Sequence, residues 1–96
     1  MNSPDSQAVV RRFYEAFRDL MEAGVIVSVH SFTKLHEIDR RRFLHVEKHP
    51  ESQAFQPAWL GYLVNEYKVS AKWLLTGSGR RFNFELTPDI KEAEKA

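Results

Sequence analysis

The sequence contains no cysteine, so a disulfide framework and thiolate metal ligands are both excluded. No apolar run approaches the roughly 18 residues that a membrane-spanning helix needs. The sequence also lacks a large excess of charge of either sign. Its 14 lysine and arginine residues are nearly balanced by 13 aspartate and glutamate residues, which leaves a formal net charge of +1. The fold must therefore depend on burial of apolar side chains, without disulfide cross-links.

The length and the hydrophobic content predict one small domain. The 96 residues match the size of a single domain, and a hydrophobic fraction of 43% supports one core but not two. The N-terminal segment MNSPDS contains no apolar run, so we expect no signal peptide at this end. Together with the absence of cysteine, this predicts a cytoplasmic location and no membrane contact.

Positive charge is concentrated in the middle of the chain. Residues 1–27 carry a formal charge of −1, residues 28–50 and 51–81 carry +2 each, and residues 82–96 carry −2. The densest basic run is RRR at residues 40–42. A basic patch is typical of phosphate binding, although three consecutive arginines are equally consistent with a solvated surface.

Apolar residues at helical spacing, together with capping residues, predict five helices. The first begins at Pro4 and is stopped by Gly24, the second runs from the cap Ser28 to about His36, the third from Arg40 to about Lys48, the fourth from Pro57 to about Tyr67, and the fifth from the cap Ser70 to Gly77. Phe32 and Leu35 are predicted to point inward, and residues 25–27 to form a buried connection. Residues 82–86 alternate as in a short strand, and the charged remainder is predicted to be a flexible, disordered tail.

The third predicted helix has an apolar side and a basic side. At about 100° per residue, Phe43 and Val46 lie together and would anchor the helix to the core. The opposite side carries Arg41, His45 and Lys48, with Arg40 at the N-terminal end and with Arg42 and Leu44 on the flanks. A helix that enters the major groove needs this arrangement, because the arginine fork donates two hydrogen bonds to guanine O6 and N7. Any amphipathic surface helix shows the same pattern, so both interpretations stay open at this point.

Residues 69–79, with the sequence VSAKWLLTGSG, resemble the end of the Cro/repressor-type helix-turn-helix domain. The resemblance covers about residues 6–81. The second and third predicted helices align with its helix-turn-helix, with Phe32 at a buried position and Ile38 and Asp39 at the turn. The resemblance implies an all-α fold, a compact five-helix lambda-repressor-like bundle over residues 4–81.

The resemblance also implies a sequence-specific transcriptional regulator that binds double-stranded DNA through the third helix. The residues expected to read bases are Arg40, Arg41 and His45, and those expected to contact phosphates are Ser28, His30, Arg42 and Lys48. A homodimer is expected, because two half-sites multiply the specificity of one short helix. The alternative is a protein-binding adaptor that has kept the repressor-like core without the DNA surface.

Two turns depart from the family pattern. Glu37 and Lys68 occupy positions at which the family prefers glycine. A left-handed backbone costs a non-glycine residue about 1 kcal/mol, so these turns either accept that cost or change shape.

The sequence gives little support for a metal site or a catalytic site. His45 and His49 are four residues apart, but Pro50 and the lack of a third ligand argue against a metal site. We expect no catalytic residues, no cofactor and no small-molecule substrate. Tyr62 and Phe55 are candidates for an exposed dimer surface. Arg80 and Arg81 are expected to be solvated, with contact to DNA as the alternative.

Overall fold

Five α-helices account for most of residues 3–83, the part of the chain that the computed structural model describes. They are α1 (Pro4–Glu22), α2 (Val29–Leu35), α3 (Arg40–Lys48), α4 (Pro57–Tyr67) and α5 (Ala71–Thr76). Each predicted helix is thereby confirmed, with its ends displaced by no more than about two residues. Within residues 3–83 there is no strand beyond a single bridged pair, so the all-α prediction is also confirmed.

Four of the helices begin at a side-chain cap. The side-chain oxygens of Ser3, Ser28, Asp39 and Ser70 each accept a hydrogen bond, at 3.0–3.1 Å, from the backbone amide three residues later. These bonds satisfy amides that have no partner inside the helix. The exception is α4, where Pro57 occupies the first position and its preset φ angle favours helix initiation. Short polar residues therefore fix where the helices start.

The turns at Glu37 and Lys68 keep the left-handed backbone. Their φ angles are 57° and 60°, close to those expected for glycine at such positions. The two non-glycine residues thus accept the conformational cost of a left-handed backbone in the turns between α2 and α3 and between α4 and α5.

Replacement of Lys68 by glycine is expected to raise the free energy of unfolding by about 0.5–1 kcal/mol, because glycine adopts the left-handed region without a clash. The measurement is urea unfolding followed by circular dichroism. Lys72→Gly, at an exposed position inside α5, is the matched control and is expected to lower stability by a similar amount. If Lys68→Gly lowered the free energy of unfolding instead, the side chain of Lys68 would stabilise the fold by more than its left-handed backbone destabilises it.

A single core lies between α1 and the other helices. Its centre is a cluster of aromatic rings whose centroids are 5.0–6.5 Å apart, formed by Phe13, Phe17, Phe32, Phe43 and Trp59. Tyr14, Phe55 and Trp73 extend this cluster, and aliphatic side chains such as Val10, Leu20, Leu63 and Leu74 fill the space around it. Burial of this apolar surface supplies the main stabilising free energy of a domain without disulfides.

Three predictions about burial are wrong. Leu35 is 66% exposed, because the inward face of α2 is formed by Val29, Phe32 and Thr33 and Leu35 lies roughly 100° from its centre. Of the connection at residues 25–27, only Ile26 is buried, since so short a link turns one side chain toward the core and its neighbours outward. Phe55 is buried rather than available to a dimer partner, because its ring packs edge-on against the rings of Phe13 and Trp59.

The packed region continues beyond α5. Phe82 is buried and forms an antiparallel bridge with Val69, and the amide of Asn83 donates to the carbonyl of Lys68 at 2.9 Å. The remainder of the predicted strand and of the predicted disordered tail lies outside the described residues. None of the helices in residues 3–83 combines the length and the apolar composition needed to cross a membrane.

Candidate nucleic-acid interface

The back of α3 is held against α1 by both apolar and polar contacts. Phe43 and Val46 are fully buried, as the sequence predicts. The hydroxyl of Tyr14 donates to the backbone carbonyl of Phe43 at 2.8 Å, and the guanidinium of Arg18 donates to both carboxylate oxygens of Glu47 at 2.8 and 2.6 Å. These contacts fix the rotation of α3 about its axis and therefore determine which of its side chains face outward.

Tyr14 is a neutral, buried hydrogen-bond donor. Burial is the main cause that raises the pKa of its phenol, and the charge of Glu47 raises it further. Removing the hydroxyl would leave the carbonyl of Phe43 without this partner. A net loss of about 1 kcal/mol is typical of such a bond.

Tyr14→Phe is accordingly expected to lower the free energy of unfolding by about 1 kcal/mol at pH 7. The pKa of Tyr14 is raised in the folded state, so its contribution is present below pH ~10 and is lost as the pH rises above the pKa of the unfolded chain. The wild type should therefore lose stability more steeply than the variant above pH ~10. Urea unfolding at pH 7, 10 and 11 tests this, and parallel pH profiles would contradict it.

The outer side of α3 is basic and exposed. The side chains that reach solvent are those of Arg40, Arg41, Arg42, His45 and Lys48. Within residues 3–83, no ion pair and no side-chain hydrogen bond holds any of the three arginines. The structure therefore leaves five of the seven predicted contact residues exposed along one helix.

Arginines elsewhere in the described chain are engaged. Arg11 bonds to Gln7 at 3.3 Å, and Arg12 donates to the carbonyl of Leu74 at 2.8 Å. Arg18 is paired with Glu47, as described above. Arg81, predicted to be solvated, instead pairs with Asp19 and Glu15 and lies 4.5 Å from the centroid of the Trp73 ring. The arginines of α3 thus stand apart because the fold leaves their guanidinium groups available.

Asp39 places one negative charge at the N-terminus of α3. Hydrogen bonds from the amides of Arg42 and Arg41 and the positive charges of both side chains lower the pKa of its carboxyl, with the Arg42 amide as the main cause. The carboxylate is therefore ionised at neutral pH. It acts as the helix cap, and it offsets part of the positive charge of the neighbouring arginines.

The two predicted contact residues of α2 lie at its first turn. The hydroxyl oxygen of Ser28 accepts from the amide of Ser31 at 3.0 Å as the helix cap, and the side chain of His30 is exposed. Val29, between them, lines the same open cleft as the first residues of α3. The N-terminus of α2 therefore borders the N-terminal half of α3, where Arg40 and Arg41 lie.

His45 is oriented by a neighbouring imidazole. Its ring stacks on that of His49, the residue that ends α3, with centroids 4.6 Å apart, and His49 Nδ1 lies 3.3 Å from a carboxylate oxygen of Glu51. Across residues 3–83, histidine and carboxylate side chains form no group of three placed to hold a metal ion. The stacked pair therefore gives His45 a defined position at the end of α3.

Sequence reasoning did not identify the cleft at the front of α3. Its lining includes Leu44, which was placed on a flank of the helix without a role, and Val29 of α2. A leucine beside histidine on a mostly polar helix, outside the buried positions of Phe43 and Val46, is the sequence signal that points to it. The chain has no match among protein-family models, curated proteins or solved structures.

Proposed function

We propose that the chain is a sequence-specific, double-stranded DNA-binding transcriptional regulator that inserts α3 into the major groove. One observation carries the proposal: α3 is fixed from behind by Phe43 and Val46, while its outer arginines have no ion pair within residues 3–83. A rigid helix that presents guanidinium groups without intramolecular partners fits the major groove, where guanine offers two acceptors.

Each predicted residue has a role in this proposal. Arg40 and Arg41, at the N-terminal end of α3, and His45, one turn later, read base edges. Arg42 and Lys48 contact phosphates on the two sides of the groove, and Ser28 and His30 contact phosphate from the first turn of α2. Phosphate contacts set the register of the helix, and base contacts carry the specificity.

We assign the fold to the lambda-repressor-like type within the same proposal. The resemblance of residues 69–79 to the Cro/repressor-type domain supports it, as do the left-handed turns at Glu37 and Lys68, where that family prefers glycine. A homodimer acting in the cytoplasm belongs to the proposal as well. The exposed Leu75 of α5, 57% accessible, is compatible with a dimer contact along α4 and α5.

The test is a selection from random DNA duplexes at low salt, followed by titration of the enriched duplex at rising salt. The proposal predicts that affinity falls steeply, because each neutralised phosphate contributes about −0.9 to the slope of log K against log salt. Arg42 and Lys48 of the two protomers would neutralise four phosphates, which corresponds to a slope of about −3.6.

The alternative function is that of a protein-binding adaptor without DNA binding. Leu35 and Val27, 66% and 83% exposed, are the apolar side chains that favour a protein partner. If no duplex is enriched at low salt, DNA binding is contradicted. If a duplex is enriched but its affinity is independent of salt, the assigned phosphate contacts are contradicted.

A further inference from the structure

An open cleft of about 640 Å³ lies at the front of α3. Two apolar side chains, Val29 of α2 and Leu44 of α3, form part of its wall. The remaining lining comes from Asp39, Arg40 and Arg41 at the beginning of α3. Guanidinium donors therefore stand beside an apolar surface at the point where α3 would meet the base edges.

Leu44 has no function in the protein core. It is half-buried, yet it is not among the hydrophobic side chains that pack against the core within residues 3–83. Val29 does pack partly against the core, which fixes its position at the side of the cleft. An apolar side chain on the basic side of α3 is thus left available for contact with something outside the chain.

We infer that this cleft receives the 5-methyl group of a thymine, which makes Leu44 and Val29 specificity-determining residues. The inference rests on the proposed function, since it concerns the same α3 surface. In the major groove, thymine presents the O4 acceptor beside its methyl group. The cleft offers the complementary pair, because the arginine side chains supply the donors and the aliphatic side chains supply the apolar contact.

The charges at the cleft favour thymine over 5-methylcytosine. Cytosine presents an amino donor where thymine presents O4, and that donor would face the guanidinium groups. Asp39 is the acceptor in the lining, and its carboxylate already accepts from the amides of Arg42 and Arg41 as the cap of α3. The cleft therefore matches a methyl group beside an acceptor.

The experiment uses the duplex selected at low salt and replaces its thymines by deoxyuridine one at a time. This change removes the methyl group and keeps every hydrogen-bonding atom. We expect a threefold to fivefold loss of affinity at one position in each half-site, which corresponds to one methyl group removed from water. The other thymines should change affinity by less than twofold.

The variants connect this loss to the cleft. Leu44→Ala should bind the thymine duplex about as weakly as the wild type binds the deoxyuridine duplex, and it should no longer respond to the replacement. Val29→Thr, which keeps the shape of the side chain, should also respond less and provides a second test if Leu44→Ala fails to fold. Lys48→Ala is the control, because it should lower affinity for both duplexes and keep the ratio between them.

The outcomes separate this inference from the proposed function. A protein that binds the selected duplex but responds to none of the deoxyuridine replacements overturns the inference alone, as does a selected site without a preferred thymine. Equal affinity for a 5-methylcytosine–guanine pair at the same position overturns the choice of thymine. A protein that binds no duplex at all removes the proposed function, and the inference with it.

Discussion

Replacement of Phe43 by alanine is expected to lower the free energy of unfolding by about 3–5 kcal/mol. The side chain is fully buried, and its ring lies 5.0–5.9 Å from the rings of five other aromatic residues, namely Phe13, Tyr14, Phe17, Phe32 and Trp59. Alanine would leave a cavity between α1, α2, α3 and α4. A domain of this size has only about 5–10 kcal/mol of stability, so the variant should be largely unfolded on modest warming.

Urea and thermal unfolding of the full chain measure this loss. Val27→Ala is the control, because its side chain is 83% exposed and its removal should change stability by less than about 0.5 kcal/mol. A loss below about 1 kcal/mol for Phe43→Ala would mean that α3 is not anchored through this residue, and the orientation of its outer side would lose its physical basis.

Arg41→Ala is expected to weaken binding to the selected duplex by about 5- to 150-fold, which corresponds to 1–3 kcal/mol for one bidentate contact with a base. Because the guanidinium forms no ion pair within residues 3–83, its removal should leave the stability of the folded chain nearly unchanged. The loss should be confined to one base-pair position, where the variant no longer discriminates between the four bases.

Arg11→Ala is the matched control for Arg41→Ala. Arg11 is an exposed arginine on α1, and its side chain bonds to Gln7 of the same helix. The account places it away from the duplex, so its replacement should change affinity by less than about twofold. Equal losses in the two variants would indicate a general effect of charge and would contradict base reading by α3.

The helix boundaries could be predicted because they depend on local chemistry. Ser28, Asp39 and Ser70 cap helices through their own side chains, and Gly77 ends α5 with a φ angle of 80°. Each of these effects acts over three or four residues, so the sequence contains all the information it needs. The burial of Phe43 and Val46 follows from the spacing of apolar residues along one helix.

The errors arose where the outcome depends on how helices meet. The exposure of Leu35 depends on which side of α2 faces α1, and helical spacing leaves this open in a helix of seven residues. The bond between Arg18 and Glu47 joins residues 29 positions apart, and charge alone did not distinguish this pair from other possible ones. The same contact geometry explains why Arg81 is paired while the arginines of α3 are left without ion pairs among the described residues.

The surface predicted for DNA binding depends partly on local sequence and partly on how the helices meet. The exposure of Arg40, Arg41 and His45 follows from periodicity once Phe43 is placed in the core. The cleft beside Leu44 does not follow from the periodicity of α3. Val29 belongs to another helix, and only the angle between α2 and α3 brings the two side chains to one opening.

Titration of the ¹⁵N-labelled protein with the selected duplex, followed by amide chemical shifts, is the most direct test of the central claim. The claim is that the N-terminal half of α3 and the first turn of α2 face the duplex. The largest shift changes are predicted at the amides of residues 39–45 and 28–30, with small changes along the exposed surface of α1. The largest changes at α5, or no changes at low salt, would contradict the account.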